Sequence, residues 1–208
     1  MTASSPTRLL VATTNPGKLR EIRHILGSLP IALVTLDDQS PIAEPSETGT
    51  TFTENAQLKA RYYGEATGEL TVAEDSGFEI DALDGEPGVR SARFNGESYR
   101  EKFRTIAQML NERGSDTSTA RFVCAAAVWF DDNLVWKTTG AIEGRLQLPP
   151  RGDGGFGYDP IFHYPPYGRT LAEVSATEKA AVSHRGQAFR ALRAYLQGQL
   201  PQDNLPPL

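Results

Sequence analysis

Four short stretches of the sequence combine residue types that could handle a phosphorylated ligand. The first is Thr13-Thr14-Asn15-Pro16-Gly17-Lys18. Asparagine followed by proline suits a helix cap and a first helical residue, so a strand-to-helix turn is predicted here. Backbone N–H groups at the positive end of a helix dipole, two hydroxyls and a lysine would together cradle phosphate. The spacing is not that of a Walker loop, and a capped turn with an exposed lysine explains the same residues.

The second stretch is Glu74-Asp75-Ser76-Gly77, with Glu47 upstream. Adjacent carboxylates in a strand point to opposite faces, so both reach one metal only if the chain bends, which Ser76-Gly77 would permit. An oxygen-only donor set suits Mg²⁺ better than a soft metal, and close like charges raise the pKa of one carboxylate toward that of a general base. A solvated acidic strand end is the alternative. The third stretch, Gly154-Gly155-Phe156-Gly157-Tyr158-Asp159-Pro160, surrounds rings with glycine, which lets a ring lie flat on a planar base. A turn whose aromatics cover the core reads equally well. The fourth places Lys179 four residues before Ser183 and then offers His184 and Arg185 at a helix end.

Alternating strands and helices would carry these groups. Leu9 to Ala12 is a short apolar run that reads as a buried strand. Leu19, Ile22, Leu26 and Leu29 then recur at helical spacing, with Gly27 or Pro30 as the stop. Ser40 to Thr50 is a connection, and Thr51 with Glu54 forms a capping box for a helix to about Tyr63, closed by Gly64 to Gly68. Leu70 to Ala73 and the alternating Phe78, Ile80 and Ala82 read as two strand pieces flanking Glu74-Asp75. Phe103, Ile106, Ala107 and Leu110 mark a helix, and Phe122 to Phe130 pairs with Leu134 to Thr139 across Asp131-Asp132-Asn133. Leu148 to Tyr167 reads as a long irregular segment of the kind that is usually functional. Helices over about Ala176 to Ser183 and Gln187 to Gln197 finish the chain. The mixture predicts an α/β fold with a mixed sheet in a single domain over 8–200, with flexible ends at 1–7 and 201–208.

Composition narrows the partners. The 208 residues carry a formal net charge of −5, so a polyanionic polymer is repelled on average and nucleic acid is not expected. Cys124 is the only cysteine, which excludes an intrachain disulfide and a cysteine-rich zinc site. No apolar run approaches the ~20 residues of a membrane span, and Met1 to Arg8 lacks the apolar core of a signal peptide. A soluble cytoplasmic protein without a membrane partner is expected.

In this order the four stretches resemble the ITPase family of non-canonical purine nucleoside triphosphate pyrophosphatases, also called the Ham1 family, from Leu9 to about Leu196. The resemblance implies a twisted mixed α/β sheet with flanking helices, forming two lobes around a central nucleotide-binding cleft. It also implies a homodimer, Mg²⁺ as cofactor, and hydrolysis of dITP, ITP and XTP to the monophosphate and pyrophosphate, cleansing the nucleotide pool. Residue by residue, Thr13, Thr14, Asn15, Pro16, Gly17 and Lys18 match the triphosphate loop. Glu47 matches a metal-binding glutamate, Asp75 the general base and metal ligand, and Ser76 a substrate contact; Glu74 is a further candidate metal ligand. Phe156, Gly157, Tyr158 and Asp159 match the base-binding loop, with Phe156 stacking on the purine. Lys179, His184 and Arg185 match the remaining substrate positions. Arg185, with His184, would donate to the 6-oxygen of hypoxanthine or xanthine, which adenine lacks.

Two residues depart from the pattern. Glu74 stands where many bacterial relatives have aspartate, and Tyr158 where some eukaryotic relatives have tryptophan. Both leave the carboxylate and the ring in place. The alternatives are a pyrophosphatase for modified pyrimidine nucleotides and a nucleotide-sensing module without turnover.

Overall fold

The computed structural model of the protein describes residues 7–96 and 98–199. Of the expected flexible ends, 1–7 and 201–208, all but Thr7 lie outside the described residues. The order of elements is β1 (Arg8–Val11), α1 (Pro16–Leu26), β2 (Ala32–Thr35), α2 (Phe52–Thr67), β3 (Leu70–Ile80), α3 (Tyr99–Glu112), β4 (Thr119–Phe130), β5 (Asn133–Leu146), β6 (Phe162–Tyr164), β7 (Arg169–Thr170), α4 (Ala176–Val182) and α5 (His184–Gln199). Hydrogen bonding arranges the strands as β2-β1-β3-β4-β5-β6-β7. β1 runs parallel to β2 and β3, while β5–β6 and β6–β7 are antiparallel, so the expected mixed α/β sheet is present.

The chain forms two compact units. The first contains residues 1–75, 125–139 and 185–208. Its β1 is a buried apolar run, with Leu9, Leu10 and Val11 at most 1% exposed, as befits a strand flanked by parallel neighbours. α1 turns Ile22, Ile25 and Leu26 inward and stops at Gly27, the earlier of the two expected stops. α2 begins at the predicted box, Thr51 Oγ1 accepting from Glu54 N–H while Glu54 reaches back to Thr51 N–H. It runs one turn beyond Tyr63, to Gly68 as cap. The hairpin between β4 and β5 turns on two residues, Asp131 (φ 48°) and Asp132 (φ 57°), both in the left-handed region that a tight two-residue turn demands.

The second unit contains residues 76–124 and 140–184. Its core gathers Phe78, Ile80, Ile106, Leu110, Phe122, Ile161, Phe162 and Leu171. α3 is capped by a Ser98/Glu101 box. β5 extends seven residues past the expected Thr139, to Leu146, alternating buried and exposed from Gly140 onward. The segment expected to be irregular contains the short strand β6.

Candidate active site

In the first unit the end of β1 delivers the chain to the N-terminus of α1. Asn15 caps that helix, its Oδ1 accepting from Gly17 N–H (2.9 Å) and Lys18 N–H (3.2 Å). Thr13 Oγ1 accepts from Asn15 N–H (3.2 Å), and Thr14 Oγ1 donates to Glu44 (2.7 Å). Thr14, Asn15 and Pro16 are exposed, Gly17 is buried and Lys18 is half-buried. The expected phosphate loop is therefore a formed turn, but the Asn15 amide oxygen is spent on the helix it caps.

β3 runs unbroken through Glu74 and Asp75, so the bend expected at Ser76-Gly77 is absent and the two carboxylates take opposite faces. Glu74 Oε1 meets Lys18 Nζ at 2.9 Å and Arg185 at 3.2 Å. Burial alone would raise its pKa, but the Arg185 guanidinium, then Lys18 and Lys59, outweigh burial and hold it well below the usual carboxylate range. Asp75 faces the other way. Its Oδ1 meets Lys59 Nζ at 3.2 Å and its Oδ2 accepts from Asn55 Nδ2 at 3.1 Å. The Lys59 ammonium also meets Glu47 Oε1 at 2.5 Å.

Glu47 and Asp75 thus meet at the Lys59 ammonium, while Glu74 meets Lys18 and Arg185 and acts through its charge on Lys59 and Asp75 as well. Among the described residues no group of three acidic, histidine or cysteine side chains is set to hold a metal. The cause of the Asp75 shift is corrected too. Its pKa is raised first by burial, with Glu47 and Glu74 as smaller contributions opposed by Lys59 and Lys18. Lys59 stays protonated, because Asp75 and Glu47 outweigh the cost of burying its charge.

Asn55 and Lys59 were not singled out in the sequence, although a signal exists. Phe52, Ala56, Ala60 and Tyr63 form the buried stripe of α2, and Asn55 and Lys59, one turn apart, sit on its edge. Polar residues at helical spacing beside a buried stripe face something that requires them.

Arg185 opens α5 at 2% exposure. Its Nη1 donates to Glu21 on α1 (2.7 Å), and its Nε and Nη2 donate to Glu74 (3.4 and 3.2 Å). Glu21, also missed in the sequence, lies three residues after Lys18 on the same helix face. The guanidinium expected to read the base therefore has all three nitrogens engaged by carboxylates.

In the second unit the glycine-rich loop is built around Asp159, which is 1% exposed. Asp159 Oδ2 accepts from Phe156 N–H (2.8 Å) and from Lys179 Nζ. Gly155 has φ +67°, and a Cβ there would lie 2.1 Å from that same oxygen, so only glycine fits. The Lys179 ammonium also stands 4.5 Å from the centre of the Phe156 ring, a cation–π contact. Phe156 and Gly157 are half-buried.

Tyr158 differs from expectation. It is 3% exposed, stacks on Phe78 at 5.2 Å, meets Tyr99 edge-on and donates its hydroxyl to Ser91 O (2.8 Å). Tyr158 is thus the inward ring of the loop. His184 is likewise internal, its ring stacked on Phe122 at 4.8 Å. Ser76 is half-buried in β3 just after Asp75.

Glu47 and Asp75 place carboxylate oxygens at one point, a hard donor set that suits a divalent cation taking few protein carboxylates and completing its shell with water and phosphate.

Comparison with known proteins agrees with the family resemblance. A dITP/XTP pyrophosphatase of Thermus thermophilus is 43% identical over 198 residues, covering 94% of this chain and 95% of the relative. One from Geobacter sulfurreducens is 44% identical over 196 residues, covering 93% and 98%. The structure of a HAM1 protein from Coxiella burnetii superposes with a TM-score of 0.85 at 37% identity, covering 92% of this chain and 99% of that one. A nucleoside-triphosphatase / dITP/XTP pyrophosphatase structure from Mycobacterium abscessus gives a TM-score of 0.71 at 40% identity, covering 91% and 99%. Residues 9–195 match the model of the Ham1 family, and the chain belongs to that family.

Proposed function

We propose that this protein hydrolyses dITP, ITP and XTP to the nucleoside monophosphate and pyrophosphate, in the cytoplasm and with Mg²⁺. The observation that carries the reading is identity above 40%, over more than nine-tenths of the chain, to proteins named dITP/XTP pyrophosphatase. The site chemistry supports it. Glu47 and Asp75 would hold the metal, which when bound supplies charge neutralisation on the phosphate oxygens. Asp75 takes the proton of the attacking water as its oxygen bonds the α-phosphorus. The bond from that phosphorus to the β-phosphate oxygen breaks, and pyrophosphate leaves with the electron pair. Lys18 and the positive end of the α1 dipole stabilise the charge on this leaving group. Burial brings the Asp75 pKa nearer to working pH, which favours proton acceptance over that of an ordinary surface carboxylate.

A panel of nucleoside triphosphates assayed for pyrophosphate tests the reading. dITP and XTP should lead, ATP should be poor, and removal of Mg²⁺ by chelation should abolish turnover. Faster turnover of methylated UTP or dTTP would support the pyrimidine alternative. Binding of dITP without pyrophosphate under multiple turnover would make the protein a sensor. We further propose a homodimer, supported by exposed Tyr62, Phe130, Leu134 and Val135 on the first unit. Light scattering on the same preparation should give twice the chain mass, and a monomer at micromolar concentration would refute this.

Phe156 offers its ring to the base while Lys179 and Asp159 hold it. Phe156→Ala should raise KM for every purine nucleotide by roughly tenfold or more, from the loss of ~1–3 kcal/mol of stacking. If weak inhibition by tripolyphosphate were lost as well, the ring would be a scaffold for the loop and not a stacking surface.

A further inference from the structure

Asn55 is 1% exposed, and each end of its amide is used. Its Oδ1 accepts from Gly49 N–H at 2.8 Å, and its Nδ2 donates to Asp75 Oδ2 at 3.1 Å. No carboxylate or hydrocarbon side chain can do both. Gly49 lies two residues after Glu47, in a segment (41–49) that has no helix or strand of its own. A Cβ on Gly49 would lie 2.6 Å from Asn55 Oδ1 and 2.7 Å from Glu54 Cβ, so the segment rests on α2 as closely as a bare Cα allows. One side chain therefore fastens the irregular segment bearing Glu47 to the strand bearing Asp75. One turn further along α2, Lys59 meets the carboxylates of both.

We propose that Asn55 is a positioning residue that sets how the Glu47 and Asp75 oxygens converge, and through that the affinity for a divalent cation and the rate of hydrolysis. It touches no reacting atom in this role; it aims the two carboxylates that do. The inference rests on the reading of Glu47 and Asp75 as metal ligands given above. Its physical basis is that groups orienting metal ligands commonly carry a ten- to hundredfold share of affinity or activity.

The test compares wild type, Asn55→Ala, Gly49→Ala and the double variant. Three quantities are measured for each: binding of Mn²⁺ alone by electron paramagnetic resonance, kcat and KM for dITP with Mg²⁺, and the melting temperature. Both single variants should weaken Mn²⁺ binding by about ten- to hundredfold and lower kcat by a similar factor, with KM for dITP within about threefold. The double variant should be no worse than the worse single, because both act through one contact. If Asn55→Ala does not fold, Gly49→Ala carries the test alone. A lower melting temperature with unchanged Mn²⁺ affinity and kcat would make Asn55 a fold anchor only and overturn the proposal. An effect in Asn55→Ala with none in Gly49→Ala would also overturn it. Wild type that turns over dITP but binds no Mn²⁺ overturns it while leaving the activity standing. Wild type that binds Mn²⁺ in the predicted pattern but releases no pyrophosphate from dITP refutes the activity and leaves the positioning role intact.

Discussion

Asp75→Asn should lower kcat for dITP by on the order of a hundredfold or more, with the variant still folded. The substitution keeps the shape of the side chain and removes its charge. Asp75 now accepts on both oxygens, from Lys59 at one and Asn55 at the other. An asparagine has only one acceptor oxygen, so either orientation turns its NH₂ group toward a donor, the Lys59 ammonium or the Asn55 amide. The metal would lose one of its two protein carboxylates, and the water its proton acceptor. Lys59 would keep its ion pair with Glu47, so the local charge balance shifts toward positive and against a divalent cation. Pyrophosphate release at saturating dITP and a series of Mg²⁺ concentrations checks this. If added Mg²⁺ restored full turnover, Asp75 would be a ligand and not the base; turnover near wild type throughout would remove it from both roles.

The elements with strong local signals were legible in the sequence. Asn15-Pro16 and Thr51-Glu54 mark helix starts that the structure shows at those residues, because a cap is decided by its own side chain within three positions. The boundaries that were missed have equally local causes. The far half of β5 places Gly140 and Gly144 at inward positions, so its alternation carries little hydropathy contrast. β3 reads as two pieces because charged Glu74-Asp75 interrupts an apolar run, yet the strand continues where Lys18, Arg185, Lys59 and Asn55 satisfy those charges from other segments. Such partners lie 16 to 111 residues away along the chain and leave no trace in a local pattern. The family resemblance supplied the candidate site residues; that Glu47 and Asp75 meet at Lys59 while Glu74 meets Arg185 required the strand's pleat.

Arg185→Met should cost about 3–5 kcal/mol of stability, the usual result of removing one partner from a buried ion pair. Its guanidinium is shared by Glu21 and by Glu74, whose side chain is only 1% exposed, so methionine leaves Glu74 charged and buried beside Lys18. For a chain of this size that loss lowers the melting temperature by roughly 6–20 °C. Arg185→Met combined with Glu74→Gln removes both charges and should recover much of the loss, since what costs most is the orphaned carboxylate and not the missing bridge. The same variants separate a supporting role from base reading, provided activity is measured below their melting temperatures. Three of the five Arg185 N–H groups are given to Glu21 and Glu74, and an Arg185 that only supports the fold should affect dITP and dATP alike, leaving the ratio of their kcat/KM values within about threefold of wild type. A donor to the purine 6-oxygen would behave differently. Its loss costs about 1.5–3 kcal/mol for dITP alone, so the ratio would fall by roughly ten- to two-hundredfold. A fall of that size would return base discrimination to Arg185, and an unchanged ratio with a lowered melting temperature would assign discrimination to the loop around Phe156.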